Sequence, residues 1–408
     1  MNTMIDKSQI AQLAVDGGLP VRSHPMPARM AFGAAEQAMI AEALEYYNTQ
    51  ETDPGYQGPF EQRYCDAFCA MMRGGYADAV ATGTAAIYIA LAALNLPRGS
   101  EVLVSPITDP GTLSPIILHG LVPRLVDSQA GSYNIGIEEI LTRITKKTSC
   151  ILVVHSLGQP AEIDAIVEMA HSKGIKVLED CSQAHGALWK GQRVGTFGDI
   201  AAFSTMYRKA SITGATGGVV FTNNIDIYHQ ALAYADRGKP RWSESFDDRN
   251  PAQYLFPALN FHTDELSCAI GIASINRLEE TRLRRLKYVA GVSERLSNKS
   301  KVCMPYGFSK GDSPFIYPIV VNTDLIRVDK TTFAKAVLAE GIGLNSHYNY
   351  VVAEWPWIRP YLSDDFNTPN ARDIRNKTFN LYLNEQYGDK EISDTVEAIL
   401  KVETAYVK

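Results

Sequence analysis

The stretch from Val177 to Thr222, VLEDCSQAHGALWKGQRVGTFGDIAAFSTMYRKASITGATGGVVFT, leaves this chain few folds to choose from. Three short apolar runs, Val177 to Leu178, Ile200 to Phe203 and Gly218 to Phe221, read as strands. The loops between them hold a lysine, an aspartate, a histidine, a glutamine and several hydroxyls. Parallel α/β sheets gather reactive groups at their strand ends in this way. Lys209 follows Phe203-Ser204 and precedes the Gly- and Thr-rich run Thr213 to Gly218, which puts it on an exposed turn after a buried strand. An amine there becomes a nucleophile when its site lowers its pKa, the condition Schiff-base chemistry needs. Asp180 ends a different apolar strand, where a carboxylate can hold a ring nitrogen protonated. Either residue alone reads as an ordinary surface charge; the pairing gives both weight.

A chain of 408 residues can bury a large core and is expected to hold two domains. Hydrophobic residues at 46% and charged residues at 21% are those of an ordinary globular protein. A net charge of -6 offers no basic footprint, so nucleic acid is not an expected partner. No apolar run approaches a membrane span, and MNTMIDKSQIAQ lacks a signal-peptide core. The six cysteines show neither zinc spacing nor the density of a disulfide framework, so no metal is expected and a reducing cytoplasm fits.

Residues 1–35 read as a Pro- and Gly-punctuated arm that wraps over a surface or a partner. Ala34 to Tyr47 and Phe60 to Met72 read as helices, with a loop at Thr49 to Gly58 between them. A short apolar piece then meets Thr82-Gly83-Thr84 before an Ala/Leu-rich helix. Free N–H groups at such a start, beside a hydroxyl, form an anion site or an ordinary Thr cap. Glu101 to Pro106, Val122 to Asp127 and Cys150 to His155 are further strands, with a helix at Ile137 to Ile144. Alternating elements at this spacing predict a mostly parallel sheet. His155 is a site residue or a hydrogen-bonded structural histidine, and Asp164 reads as a helix cap. Leu278 to Arg295 is an amphipathic helix linking the large domain, 36–285, to a small C-terminal α/β domain, 286–408. A strand at Phe315 to Val321, a helix at Thr331 to Glu340, Trp355-Pro-Trp357 and the last helix complete the small domain.

The motifs ED-x-x-Q-A-H-G-A at Glu179 to Ala187, G-x-x-V-G-x-F-G-D at Gly191 to Asp199 and FS-x-x-x-x-K at Phe203 to Lys209 resemble the DegT/StrS-type sugar aminotransferases. That family consists of fold-type-I enzymes dependent on pyridoxal 5'-phosphate (PLP). The likeness runs from GGLPVR at Gly17 to Arg22 through to the C-terminal helix. It implies that Lys209 forms the Schiff base, Asp180 pairs with the pyridinium nitrogen and Gln183 contacts the ring hydroxyl. Gly83, Thr84, Ala85 and Ser204 would hold the phosphate, and Asn260 would reach the phosphate of a neighbouring subunit in a homodimer with shared sites. His185, His347 and Tyr348 are candidate substrate contacts. The implied reaction moves an amino group from L-glutamate or L-glutamine to a keto-sugar, often nucleotide-linked, or to a keto-cyclitol.

Four positions depart from the family pattern. Thr82 replaces an Asn, Asp109 stands where a stacking ring is usual, and His262 replaces an Arg. One residue is added between Lys209 and the Gly217-Gly218 pair. Two rivals share the fold: a sugar dehydratase, whose Schiff-base lysine is replaced by histidine, and a non-catalytic regulatory protein.

Overall fold

The computed structural model describes residues 12–408, so residues 1–11 of the expected arm lie outside it. The main sheet has seven strands: β1 (Tyr76–Val80), β2 (Glu101–Val104), β3 (Val122–Leu125), β4 (Thr148–Val154), β5 (Lys176–Asp180), β6 (Ile200–Ser204) and β7 (Gly218–Thr222). Their spatial order is β1-β7-β6-β5-β4-β2-β3. All run parallel except β7, which is antiparallel to both its neighbours. β4 reads as a near-continuous apolar run because helices cover both faces of a parallel sheet. The helices of this half are α1 (Ala34–Thr49), α2 (Pro59–Met72), α3 (Gly83–Ala93), α4 (Pro110–Leu118), α5 (Ile137–Arg143), α6 (Ile163–Ser172), α7 (Ile225–Ala235) and α8 (Glu265–Asn276). α3 is built of strong helix formers and is buried on nearly every side, wedged between the sheet and its neighbours.

The long helix α9 (Leu278–Ser297) leads to a second sheet of β8 (Cys303–Pro305), β9 (Tyr317–Val321), β10 (Leu344–Asn345) and β11 (Thr378–Leu381). This sheet is antiparallel throughout, in the order β8-β9-β11-β10. Helices α10 (Lys330–Ala339), α11 (Pro369–Lys377) and α12 (Asp389–Tyr406) complete this part. A separate apolar core joins α9, α10 and α12 to the second sheet, and it takes in Leu13 of the arm.

Three expectations need correction. The strand expected from Phe315 begins at Tyr317, because the Ser313 and Phe315 N–H groups donate to Gly158 and Leu157 instead of to a ladder. The segment around Trp355 does not pack with the second sheet: Val352, Ala353 and Ile358 are buried in the main-sheet core. Its backbone is tied there by Val352 N–H to the Pro106 carbonyl and by Ser363 N–H to the Pro123 carbonyl. Asp164 is not a cap either. Glu162 occupies the cap position of α6, and Asp164 accepts from Trp189 Nε1 and Lys190 Nζ, each at 2.6 Å.

Candidate active site

β1, β5, β6 and the start of β7 deliver their polar ends to one edge of the main sheet, where a cavity of about 820 Å³ opens. Its wall includes Thr82, Gly83 and Thr84 from the start of α3, Asp109 and Thr112 of α4, Asp180, Gln183, Ser204, Lys209 and Gly217. Thr82 caps α3, its Oγ1 accepting from Ala85 N–H at 2.8 Å. Gly83 is required by crowding: a Cβ there would lie 2.5 Å from the Cβ of Ser204. A Cβ on Gly218 would lie 2.3 Å from the Thr82 carbonyl oxygen. Strand β7, the α3 start and Ser204 therefore meet as bare backbone, leaving N–H groups and hydroxyls around one small hollow.

Asp180 is buried at the end of β5. Its Oδ2 accepts from Thr112 Oγ1 at 3.0 Å and its Oδ1 from Ser182 N–H at 3.0 Å, and no cation among the described residues pairs with it. Lys209 is half-buried, and its ammonium lies 4.5 Å from the centre of the Phe315 ring. Burial lowers its pKa, while Asp180 and then Asp109 pull it back up. The amine makes no hydrogen bond within the described residues. Counting forward from Phe203 thus gives the lysine inside the cavity; Arg208 beside it is exposed, its guanidinium over Tyr207.

The other expected residues divide. Ala85 is buried one turn into α3, its N–H spent on the cap. Gln183 faces the cavity, with Oε1 accepting from Leu157 N–H at 2.7 Å. Tyr348 also lines the wall, and burial pushes its phenol well up. His185 does not join them: it is 1% exposed, edge-on to Phe203 and behind the wall, with its pKa lowered to about 3 chiefly by burial. Nor does His347, whose Nδ1 lies 3.4 Å from Lys330 Nζ away from the lining. Asn260 lies outside the cavity on an exposed face, its amide 3.4 Å from Tyr56 Oη. His262 stacks on Tyr56 at 4.3 Å and approaches Asp236 at 3.1 Å. His155 proves structural, bonded to Glu179 at 3.0 Å in the sheet interior.

A model of the DegT/DnrJ/EryC1/StrS aminotransferase family matches residues 36–400. The chain belongs to that family. It is a PLP-dependent aminotransferase. An uncharacterized protein of Methanocaldococcus jannaschii is 27% identical over 88% of this chain and 94% of its own length. GDP-perosamine synthase of Escherichia coli O157:H7 is 31% identical over 64% of this chain and 70% of its own. Among solved structures, an aminotransferase from Psychrobacter cryohalolentis matches with a TM-score of 0.85 at 25% identity, covering 93% of this chain and 99% of that one. A 3-amino-5-hydroxybenzoic acid synthase matches in fold with a TM-score of 0.83 at 22% identity, over 94% of this chain and 100% of that one. The fold is that of the fold-type-I PLP enzymes.

The aminotransferase cavity fits PLP on its own evidence. It offers a free, half-buried amine, a buried carboxylate with no paired cation and a hollow of backbone N–H groups and hydroxyls that one added Cβ would fill. Sequence reasoning missed Thr112, Phe315, Arg29 and Arg285 on the wall. Thr112 lies three residues from the flagged Asp109 and was within reach; the others come from distant segments that carry no local motif.

Proposed function

We propose that this aminotransferase moves the amino group of L-glutamate or L-glutamine to a keto-sugar, nucleotide-linked, or to a keto-cyclitol, in two alternating half-reactions. The observation that carries this reading is the Lys209 amine, uncommitted and lowered in pKa in a cavity it shares with the Asp180 carboxylate. When bound, PLP supplies an aldehyde that captures amines and a ring that accepts the electron pair released at the donor carbon. Lys209 would hold the cofactor, and its amine is the base placed to take and return the proton at the donor carbon. Asp180 keeps the ring nitrogen protonated, since its free lone pairs face the cavity with no competing cation. Gly83, Thr84 and Ser204 would seat the phosphate at the α3 start, with Ala85 behind them holding the cap, and Gln183 would meet the ring hydroxyl. A histidine in the place of Lys209 would favour the dehydratase; the lysine favours transfer.

The chain is read as a domain of residues 36–285 and a domain of residues 286–408, with 351–366 returning to the first. Asn260 is assigned to the site of a second copy in a homodimer. Support comes from its exposed position beside the exposed apolar side chains of Tyr56 and Leu259. Six free cysteines, five of them buried, suit a reducing cytoplasm.

The test is the visible absorption of the PLP-loaded chain before and after L-glutamate or L-glutamine, with Lys209→Ala as control. The expected result is a donor-dependent loss of the lysine-linked band, restored by a keto-sugar or keto-cyclitol and absent in the control. A lysine-linked band indifferent to both donors would refute the transfer reading.

A further inference from the structure

Lys209 sits on the loop after β6, which Thr213 N–H closes at its base on the Thr205 carbonyl at 2.9 Å. The Tyr207 and Ala210 carbonyls, which bracket the lysine, accept hydrogen bonds from one side chain among the described residues, and it belongs to the N-terminal arm. Arg29 Nη1 donates to the Tyr207 carbonyl at 2.9 Å and Nη2 to the Ala210 carbonyl at 3.0 Å. The same guanidinium donates through Nε to Glu385 Oε1 at 2.8 Å. Glu385 Oε2 in turn accepts from Arg285 Nη2 at 3.1 Å, and Arg285 Nη1 reaches the Pro314 carbonyl at 3.4 Å. The next residue is Phe315, whose ring lies 4.5 Å from the lysine ammonium. One carboxylate thus anchors both what lies beneath the lysine backbone and what lies against its amine.

The arm is placed to carry this load. Arg22 pairs with Asp394 at 2.6 Å and Glu391 at 3.1 Å, and the Pro27 carbonyl accepts from Asn384 Nδ2 at 3.0 Å. These contacts fasten the arm to the second-sheet half before Arg29 crosses to the lysine loop.

We propose that Arg29 is a positioning residue for Lys209, its planar fork fixing the loop and, through Glu385, the lysine against Phe315. A lysine at position 29 cannot do this: a single ammonium cannot span two carbonyls and a carboxylate in one plane. The proposal rests on the assignment of Lys209 as the residue that captures the cofactor.

The test uses the full chain and two readouts. One is amide hydrogen exchange over residues 205–213 without cofactor; the other is the rate of covalent PLP capture, followed by absorption and by mass after reduction. Arg29→Ala and Arg29→Lys are expected to speed exchange there at least about 10-fold and to slow capture roughly 10- to 100-fold. Arg22→Ala, which removes one anchor of the arm and keeps the fork, is expected to lower Tm and to move both readouts much less than either Arg29 variant. Capture at the wild-type rate in both Arg29 variants overturns the proposal, as does equal slowing in Arg22→Ala. Covalent capture by Lys209→Ala would instead remove the lysine assignment, while the exchange measurement still reports on the fork.

Discussion

Glu179 and Asp180 are adjacent acids on one strand, and the structure uses them in opposite ways. Alternation along β5 sends Glu179 to the face that Val177 occupies and Asp180 to the face of Leu178. Glu179 is saturated: it accepts from the Gly195, Phe197 and Gly198 N–H groups at 2.7, 2.9 and 2.7 Å, and from His155 Nε2 at 3.0 Å. His155 Nδ1 accepts the Ala161 N–H, so the ring proton sits on Nε2 and points at Glu179. Asp180 has one hydroxyl and one N–H for two oxygens and no cation. A buried carboxylate with every lone pair engaged fixes a fold; one with spare capacity facing a cavity is held ready for a ligand.

The largest effect should come from the unsaturated acid. Asp180→Asn keeps the shape and the Thr112 contact but removes the charge that holds the ring nitrogen protonated. Losing one partner of a buried charged pair costs roughly 4 kcal/mol, so kcat should fall about 10³-fold. Stability of the cofactor-free chain should change by less than about 1 kcal/mol, since no cation among the described residues pairs directly with Asp180. Steady-state rates with urea unfolding of the same preparations decide this, and a fall in stability without a fall in kcat would reverse the assignment.

Glu179→Gln should show the converse. Its amide replaces one acceptor oxygen with a donor among three backbone N–H groups, a loss of roughly 3 kcal/mol. The Tm should drop while kcat per folded molecule stays within a few-fold.

The contrast explains what the sequence could disclose. The acidic pair, the glycines and the FS-x4-K spacing are local, so three strands and their side of the cavity were legible from the 177–222 stretch alone. Which acid faces the cavity follows from alternation once β5 is assigned. Contacts between remote segments were not legible: Arg29 meets Tyr207 across 178 positions, and Phe315 is pulled from its strand by a loop near residue 157. His185 misled for a related reason. An ordinary histidine pKa suggests chemistry near neutrality, but only the packing reveals that this ring is buried against Phe203.

That burial has a pH signature. The folded-state pKa of His185 is lowered to about 3 by burial first and by the charge of Lys209 second, against about 6.5 in an unfolded chain. Below pH 6.5 the unfolded chain therefore binds the extra proton, and stability is lost as pH falls toward 3. By pH 5 the loss is about 2 kcal/mol. His185→Phe should abolish this part of the acid sensitivity, measured as the difference in unfolding free energy between pH 7 and pH 5, with donor half-reaction rates retained. Equal acid sensitivity in both proteins would place the titrating group elsewhere.

Asp109 offers the smallest effect and refines the comparison, because it is a third acid whose commitments fall between the other two. One oxygen caps α4 through the Gly111 N–H at 2.8 Å, and the carboxylate also faces the cavity. The resemblance to the family puts an aromatic ring at this place; a carboxylate stabilises the charged form of Lys209 instead, after burial has lowered its pKa. Asp109→Asn keeps the cap, for which Asn serves as well as Asp. Removing the charge disfavours the ammonium, so the lysine pKa should fall further and PLP capture should reach half its maximal rate at lower pH. The shift should be small, as expected for charges that interact across a partly aqueous cavity. Wild-type capture should itself show a midpoint below that of a free lysine, near 10.4. A midpoint that moves upward in Asp109→Asn would mean that this acid restrains the lysine through the fold of its loop and not through its charge, and would move it to the side of Glu179.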